Sequence, residues 1–270
     1  GGLVTLAAGA DVRVQRAIDV RSFRDGDGGT ISLRAGDGGL AAGDAGGALT
    51  ITADLLADGS TDADGSFGNS GGDVALEAAG PIVVAATGAI RANGAGPDGA
   101  GGTLTVSTEA APTGVLTALD GDVTLLGPIS LRGAANGDGG ELLGSIGRGL
   151  ALQGTLDISA GGDDAFPGSI ELTTGADLRL DAAVSVNGRT ASASGGAIDL
   201  KAGLATDTAT LTITRNIDLA GGSGADGGDA RLAACRIDVK PGVTIDTRGA
   251  NAVVTDPTIV LAAVDALTIG

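Results

Sequence analysis

Apolar and polar residues alternate along this chain in short triplets, two apolar positions around one outward position, the mark of a half-buried strand. Ile170-Glu171-Leu172, Leu178-Arg179-Leu180 and Val184-Ser185-Val186 make one round, and Ile198-Asp199-Leu200 opens the next. The steps are 8, 6 and 14 residues, a round of 28. Leu142, Leu150 and Leu156 keep the same steps upstream, and Val4, Val12, Ile18 and Ile31 keep steps of 8, 6 and 13. Further rounds run Val74, Ile82, Ile90, then Leu104, and Ala230, Ile237, Val243, then Ile259. Three rounds lengthen the first connection: Ile31 to Leu49, Leu104 to Val123 and Ile198 to Leu211. Their second and third triplets stay six residues apart. A coil accepts an insertion in this way because its surface loops absorb the extra residues.

Steps of six to eight residues leave no room for helices. Corresponding triplets of successive rounds must then stack as parallel strands about 4.8 Å apart. The pattern predicts an all-β fold, a parallel β-helix solenoid, right-handed by the usual chirality of parallel connections. It has about eight to nine coils of roughly 28 residues with three short strands each, in a single domain over 1–270. At one coil per strand spacing the body is about 40 Å long.

Gly-Gly pairs stand directly before the first strand of most coils, as in "DGDGGTISLRAG" from Asp25, "SGGDVALEAAG" from Ser70 and "SGGAIDLKAG" from Ser194. Positive φ at a sharp corner and close approach of stacked backbones both predict glycine there. The neighbouring Asp residues are expected to hydrogen-bond the turn backbone. The chain starts in strand pattern at "GGLVTLAAG" and finishes in it at "PTIVLAAVDALTIG". The solenoid therefore reads as uncapped at both ends, its terminal edges covered by another copy or by more solenoid.

Composition narrows the function. The chain has 270 residues, 51 of them Gly, with no His, Met, Trp or Tyr and only three Phe. Its formal net charge is −17. Of 33 acidic residues only four are Glu (Glu77, Glu109, Glu141, Glu171), so the acidity sits in the turn-favouring residue. Such a charge argues against nucleic acid as a partner. The basic residues are mostly Arg and look scattered. One cysteine, Cys235, leaves no intrachain disulfide and reads as a small hydrophobe at a strand. No apolar run reaches the ~18 residues of a membrane helix, so membrane insertion is not expected.

The repeated style "GG-x-I-x-L-x-A" followed by "G-x-I-x-A-x-G", seen in "SGGDVALEAAGPIVVAATGAIRANGAG" (Ser70 to Gly96), resembles the large bacterial secreted or surface β-helix proteins. These include the filamentous-haemagglutinin-like adhesins and the exoproteins of two-partner secretion. The resemblance covers nearly the whole chain as repeat style. It implies a long exported rod for adhesion, cell contact or extracellular structure. The Asn-rich amino-terminal secretion motifs of that family are not seen here.

Calcium is the one candidate cofactor. "DGSTDADGSFGN" places Asp58, Asp62, Asp64 and Asn69 around Gly65, hard oxygen ligands on a turn. An ordinary Asx-rich turn explains the same residues. "GGSGADGGD", Gly221 to Asp229, matches part of a nonapeptide calcium repeat, but once and not in tandem. A second candidate is an outward ladder: register stacking would align Glu171, Asp199 and Arg231 on the first sheet and Asp157, Ser185 and Asp218 on the third. Paired carboxylates can hydrolyse glycosides. Without Trp or Tyr to stack on sugar, and with only Lys201 and Lys240 as lysines, a solvated face is the simpler reading. The insertions at Arg34 to Ala48, Ala57 to Gly72 and Ser107 to Asp122 are further places for contacts.

The expectation is therefore a structural protein and not an enzyme: an extracellular or cell-surface fibre, homopolymeric through end-to-end coil stacking. A rod segment of a large secreted adhesin is the first alternative and a polysaccharide-active β-helix enzyme the second. A cell-surface or glycan ligand remains the open partner class.

Overall fold

The computed structural model describes residues 1–36, 47–62, 64–65, 67–108, 122–163, 165–203, 208–249 and 258–270. Much of the insertions between first and second triplets (37–46, 109–121 and 204–207) lies outside the described residues. Those residues hold 24 strands and no helix, and every ladder between strands is parallel.

The chain winds in coils around three faces. First-face strands are Leu3–Ala8, Thr30–Ala35, Asp73–Ala78, Thr103–Thr108, Glu141–Ile146, Ser169–Thr174 and Ala197–Ala202, each paired with the next in register. Second-face strands run from Val12–Val14 to Thr210–Ile213, and third-face strands from Ile18–Asp19 to Ile245–Asp246. The eighth coil turns from first face to second inside one 11-residue strand, Asp229–Val239, with Ile259–Ile269 paired along it. These two long strands replace separate short ones and join the first two faces into one 16-stranded sheet, leaving the third as an eight-stranded sheet. Cys235 sits half-buried at that bend, beside the irregular register between Ala234 and Arg236.

The register matches the triplet reading at all but one strand. In the eighth coil Ile245, and not Val243, pairs with Ile217 on the third face. Lys240, Pro241 and Gly242 bulge there, Gly242 at φ 78°, so the last corner takes two more residues than the six-residue step predicts.

Inward residues stack like on like. Leu6, Leu33, Leu76 and Val106 form one row, and Val12, Leu49, Ile82 and Val123 another. Ile31, Leu33, Leu49 and Ile51 are fully buried. Each such side chain contributes about 1.5–3 kcal/mol by leaving water. Gly144 interrupts the leucine row, below Leu172. A Cβ on it would lie 2.5 Å from Leu172 Cδ2 and 3.0 Å from Ile146 Cδ1. Ile146 stands where other coils place Ala35 or Ala78, so this coil exchanges the large and small positions and keeps the core volume.

The Gly-Gly pairs serve close approach alone. A Cβ on Gly102 would lie 2.0 Å from the Gly72 carbonyl oxygen, and one on Gly72 1.9 Å from that of Gly29. Neither glycine has positive φ; among described residues that conformation belongs to Asp25, Gly36, Gly65, Gly96, Gly203 and Gly242. The corner is made instead by the second glycine's N–H bonding across it, Gly72 to the Ala57 carbonyl and Gly102 to that of Ala92, both at 2.7 Å.

The turn aspartates hydrogen-bond turn backbone as expected, and many reach along the axis to do so. Asp11 Oδ1 accepts from the Ala48 N–H at 3.0 Å, Asp54 Oδ1 from Ala89 at 2.9 Å and Asp177 Oδ1 from Thr210 at 2.8 Å. Asp27, Asp122, Asp138 and Asp229 do the same for Ser70, Gly149, Phe166 and Thr258. Each bond joins one coil to the next. The acidic turns thus satisfy backbone donors at the corners, where the ladder is broken.

Candidate functional site

The predicted outward ladders form as expected. Glu171 stands opposite Asp199 and Asp199 opposite Arg231 on the first face; Asp157, Ser185 and Asp218 align on the third. The first-face group lines a hollow of about 320 Å³ with Asp229 and Thr258. Asp199 Oδ2 accepts from Lys201 Nζ at 2.8 Å, while its buried Oδ1 has no hydrogen-bond partner among the described residues. Asp229 is held by the Thr258 N–H and hydroxyl at 3.0 and 2.6 Å. On the third face Asp157 accepts from Ser159, and Asp218 from Asn187 at 2.7 Å and the Ala220 N–H at 3.1 Å. These carboxylates hold the strand and its neighbours.

Asp58, Asp62 and Asp64 are not brought together as a ligand set. Asp58 is buried, and its carboxylate accepts from Arg91 Nη2 at 2.7 Å, the Asn93 N–H at 2.9 Å and Asn93 Nδ2 at 3.0 Å. Asp62 Oδ1 caps the Phe67 N–H at 3.1 Å within the turn. Among the described residues no group of three or more Cys, Asp or Glu side chains is placed to hold a metal ion, the turn at Gly221 to Asp229 included.

The arginines that look scattered in the sequence converge instead. The third-face edge carries Arg21, Asp58, Asn93 and Arg132 on successive coils, the column directly beyond the third triplets. With Arg91 and Phe23 they line a hollow of about 420 Å³. Arg21 donates to both oxygens of Asp19, at 2.9 and 2.6 Å, and this pairing holds the Asp19 carboxyl below its usual range and raises the arginine. Arg248 does the same to Asp246. Asn93 links Asp58 to the fourth coil, where its Oδ1 accepts from the Ser130 hydroxyl at 2.7 Å and the Arg132 N–H at 3.0 Å. Sequence spacing held the signal for this edge: each residue falls at one fixed offset from an inward triplet. Only the unequal coil lengths hid it.

Among the described residues the first strand, Leu3–Ala8, and the last, Ile259–Ile269, each pair on one side only. Leu3 and Leu6 of the first strand are 72% and 44% exposed, and Ile259, Val264, Leu267 and Ile269 of the last are 46–84% exposed. Leu3 faces outward, whereas Leu6, Ile259, Leu267 and Ile269 continue the inward rows.

Compared with known proteins, the chain matches no family model, no curated protein and no solved structure. Among the described residues no helix is long and apolar enough to cross a membrane.

Proposed function

We propose that this chain is a structural rod of the cell surface or extracellular space, and that its coils stack end to end on a second copy to build a filament. The observation that carries the reading is the match, on the first two faces, between the first strands and Ile259–Ile269. Carried one rung beyond Ile259–Ile269, the register would seat Val4 on Ile259, Leu6 on Leu261, Ala8 on Ala263, Val12 on Leu267 and Val14 on Ile269. Every pair is like on like. The corner also fits: the step from Ala263 to Leu267 is four positions, as is that from Ala8 to Val12. Such a contact is head-to-tail and propagates. The acidic sides, in a chain of net charge −17, favour separation of neighbouring filaments. The same match would serve a solenoid that continues within one longer polypeptide, as the resemblance to secreted adhesins implies. The extracellular setting rests on that resemblance.

Sedimentation velocity and electron microscopy of Leu6→Lys and Leu261→Lys test the contact. Wild type is expected to form filaments with a ~4.8 Å axial repeat. Each variant alone should remain single rods, since each lacks one of the two surfaces. An equimolar mixture should give end-to-end dimers and nothing longer. Wild-type rods that stay single at high concentration would overturn stacking on a second copy.

A further inference from the structure

All three aromatic residues of this chain, Phe23, Phe67 and Phe166, are 70–85% exposed, while the core is built without any. All three lie on the connection from the third face to the next first-face strand, hence along one edge of the rod. Phe23 borders the arginine-lined hollow of about 420 Å³ at that same edge.

The guanidinium groups there are not equally committed. Arg21 is held by both oxygens of Asp19. Among the described residues Arg91 gives one hydrogen bond, to Asp58, and its side chain is 46% exposed. The Arg132 guanidinium makes no hydrogen bond among the described residues. Its buried Nε lacks a partner, and the nearest carboxylate oxygen, of Asp157, is 3.7 Å away. A planar fork with five donors is thus left almost wholly unspent next to a second one that has spent a single donor. Asp58 lines the hollow, and Asp19 and Asp157 stand beside Arg21 and Arg132, so three carboxylates balance the three arginines. The hollow is therefore locally neutral on a chain of net charge −17, the kind of place where an anion meets the least repulsion.

We propose that this hollow binds a carboxylate-bearing sugar. The carboxylate lies on the Arg91 and Arg132 forks, and the apolar face of the sugar ring lies on Phe23. Planar bidentate donors suit a carboxylate, and an exposed phenyl face suits a ring's C–H surface. The site begins in the first coil but uses none of the residues seated by the end-to-end contact, Val4, Leu6, Ala8, Val12 and Val14.

Calorimetric titration with trigalacturonate tests the assignment, at about 150 mM salt so that the charge of the whole chain is screened beyond ~8 Å. Maltotriose serves as the neutral comparator and a heparin-derived tetrasaccharide as the sulfated one. Trigalacturonate is expected to bind and maltotriose not to. Arg132→Gln should weaken binding by about tenfold or more, the usual effect of losing a charge-assisted pair. Phe23→Ala, at a site too exposed to disturb folding, should weaken it about three- to fivefold. Arg236→Gln, on the second face, should leave binding unchanged. Absence of binding, equal binding of maltotriose, or indifference to both Arg132→Gln and Phe23→Ala would overturn the proposal. Tighter binding of the sulfated sugar would overturn the carboxylate as the recognised group.

Discussion

Asp54 Oδ1 accepts a hydrogen bond from the backbone N–H of Ala89, 35 residues along the chain and one coil higher, at 2.9 Å. The carboxylate closes a corner that the strand ladder leaves open. Asp54→Ala should therefore strand a partly buried donor and cost about 1–3 kcal/mol. Asp54→Asn keeps an acceptor in the same place and should cost much less. Denaturant melts of the two variants check this; equal losses would show that charge, and not the acceptor, matters.

Glycine substitutions should separate close approach from backbone conformation. Gly102→Ala drives a Cβ to 2.0 Å from the Gly72 carbonyl oxygen, so two coils must part. Its cost should exceed ~3 kcal/mol, in the range that marks a named steric failure. Gly242→Ala meets nothing within 4 Å and suffers only its φ of +78°. About 1–2 kcal/mol is expected there. A thermal unfolding series that ranked the two the other way would contradict the role assigned to the Gly-Gly corner.

Gly144 and Ile146 should behave as one packing unit. Gly144→Leu alone overfills the row, and Ile146→Ala alone empties it. The double variant restores the Leu-then-Ala order of Leu33 and Ala35 and should recover most of the loss. A double-mutant cycle is expected to give a coupling of about 1–3 kcal/mol, in the range found for residues in contact. Additive losses would show that coil five has repacked independently of the exchange.

Asp181 gives a pH test. Burial pushes its carboxyl up, but hydrogen bonds from Arg179 and Thr214, at 2.6 and 2.9 Å, outweigh that and hold it below its ordinary value. A carboxyl lowered on folding stabilises the fold above its unfolded pKa of about 3.9. That stabilisation is lost as pH falls through the folded value. Asp181→Asn should therefore melt lower than wild type at pH 7, and the gap should narrow below about pH 4. A gap constant from pH 7 to pH 2 would mean that the lowered ionisation contributes nothing.

Triplet alternation and its near-28-residue round determined, from the sequence alone, the solenoid, the three faces and the register of nearly every strand. A period-two pattern leaves one way to bury Leu33, Leu49 and Leu55 together, and insertions between triplets do not disturb it. The outward ladder of Glu171, Asp199 and Arg231 followed from that register. Tertiary structure decided what no local pattern encodes. Whether Asp54 bonds its own turn or the next coil depends on where a neighbour 35 residues away places its N–H. Gly102 is glycine because of a carbonyl 30 residues earlier, at Gly72, and not because of its own φ. Arg21, Arg91 and Arg132 meet at one hollow only after coils of unequal length are wound to equal height. Side-chain partners across coils are set by stacking geometry, and a sequence read one strand at a time carries no distance between them.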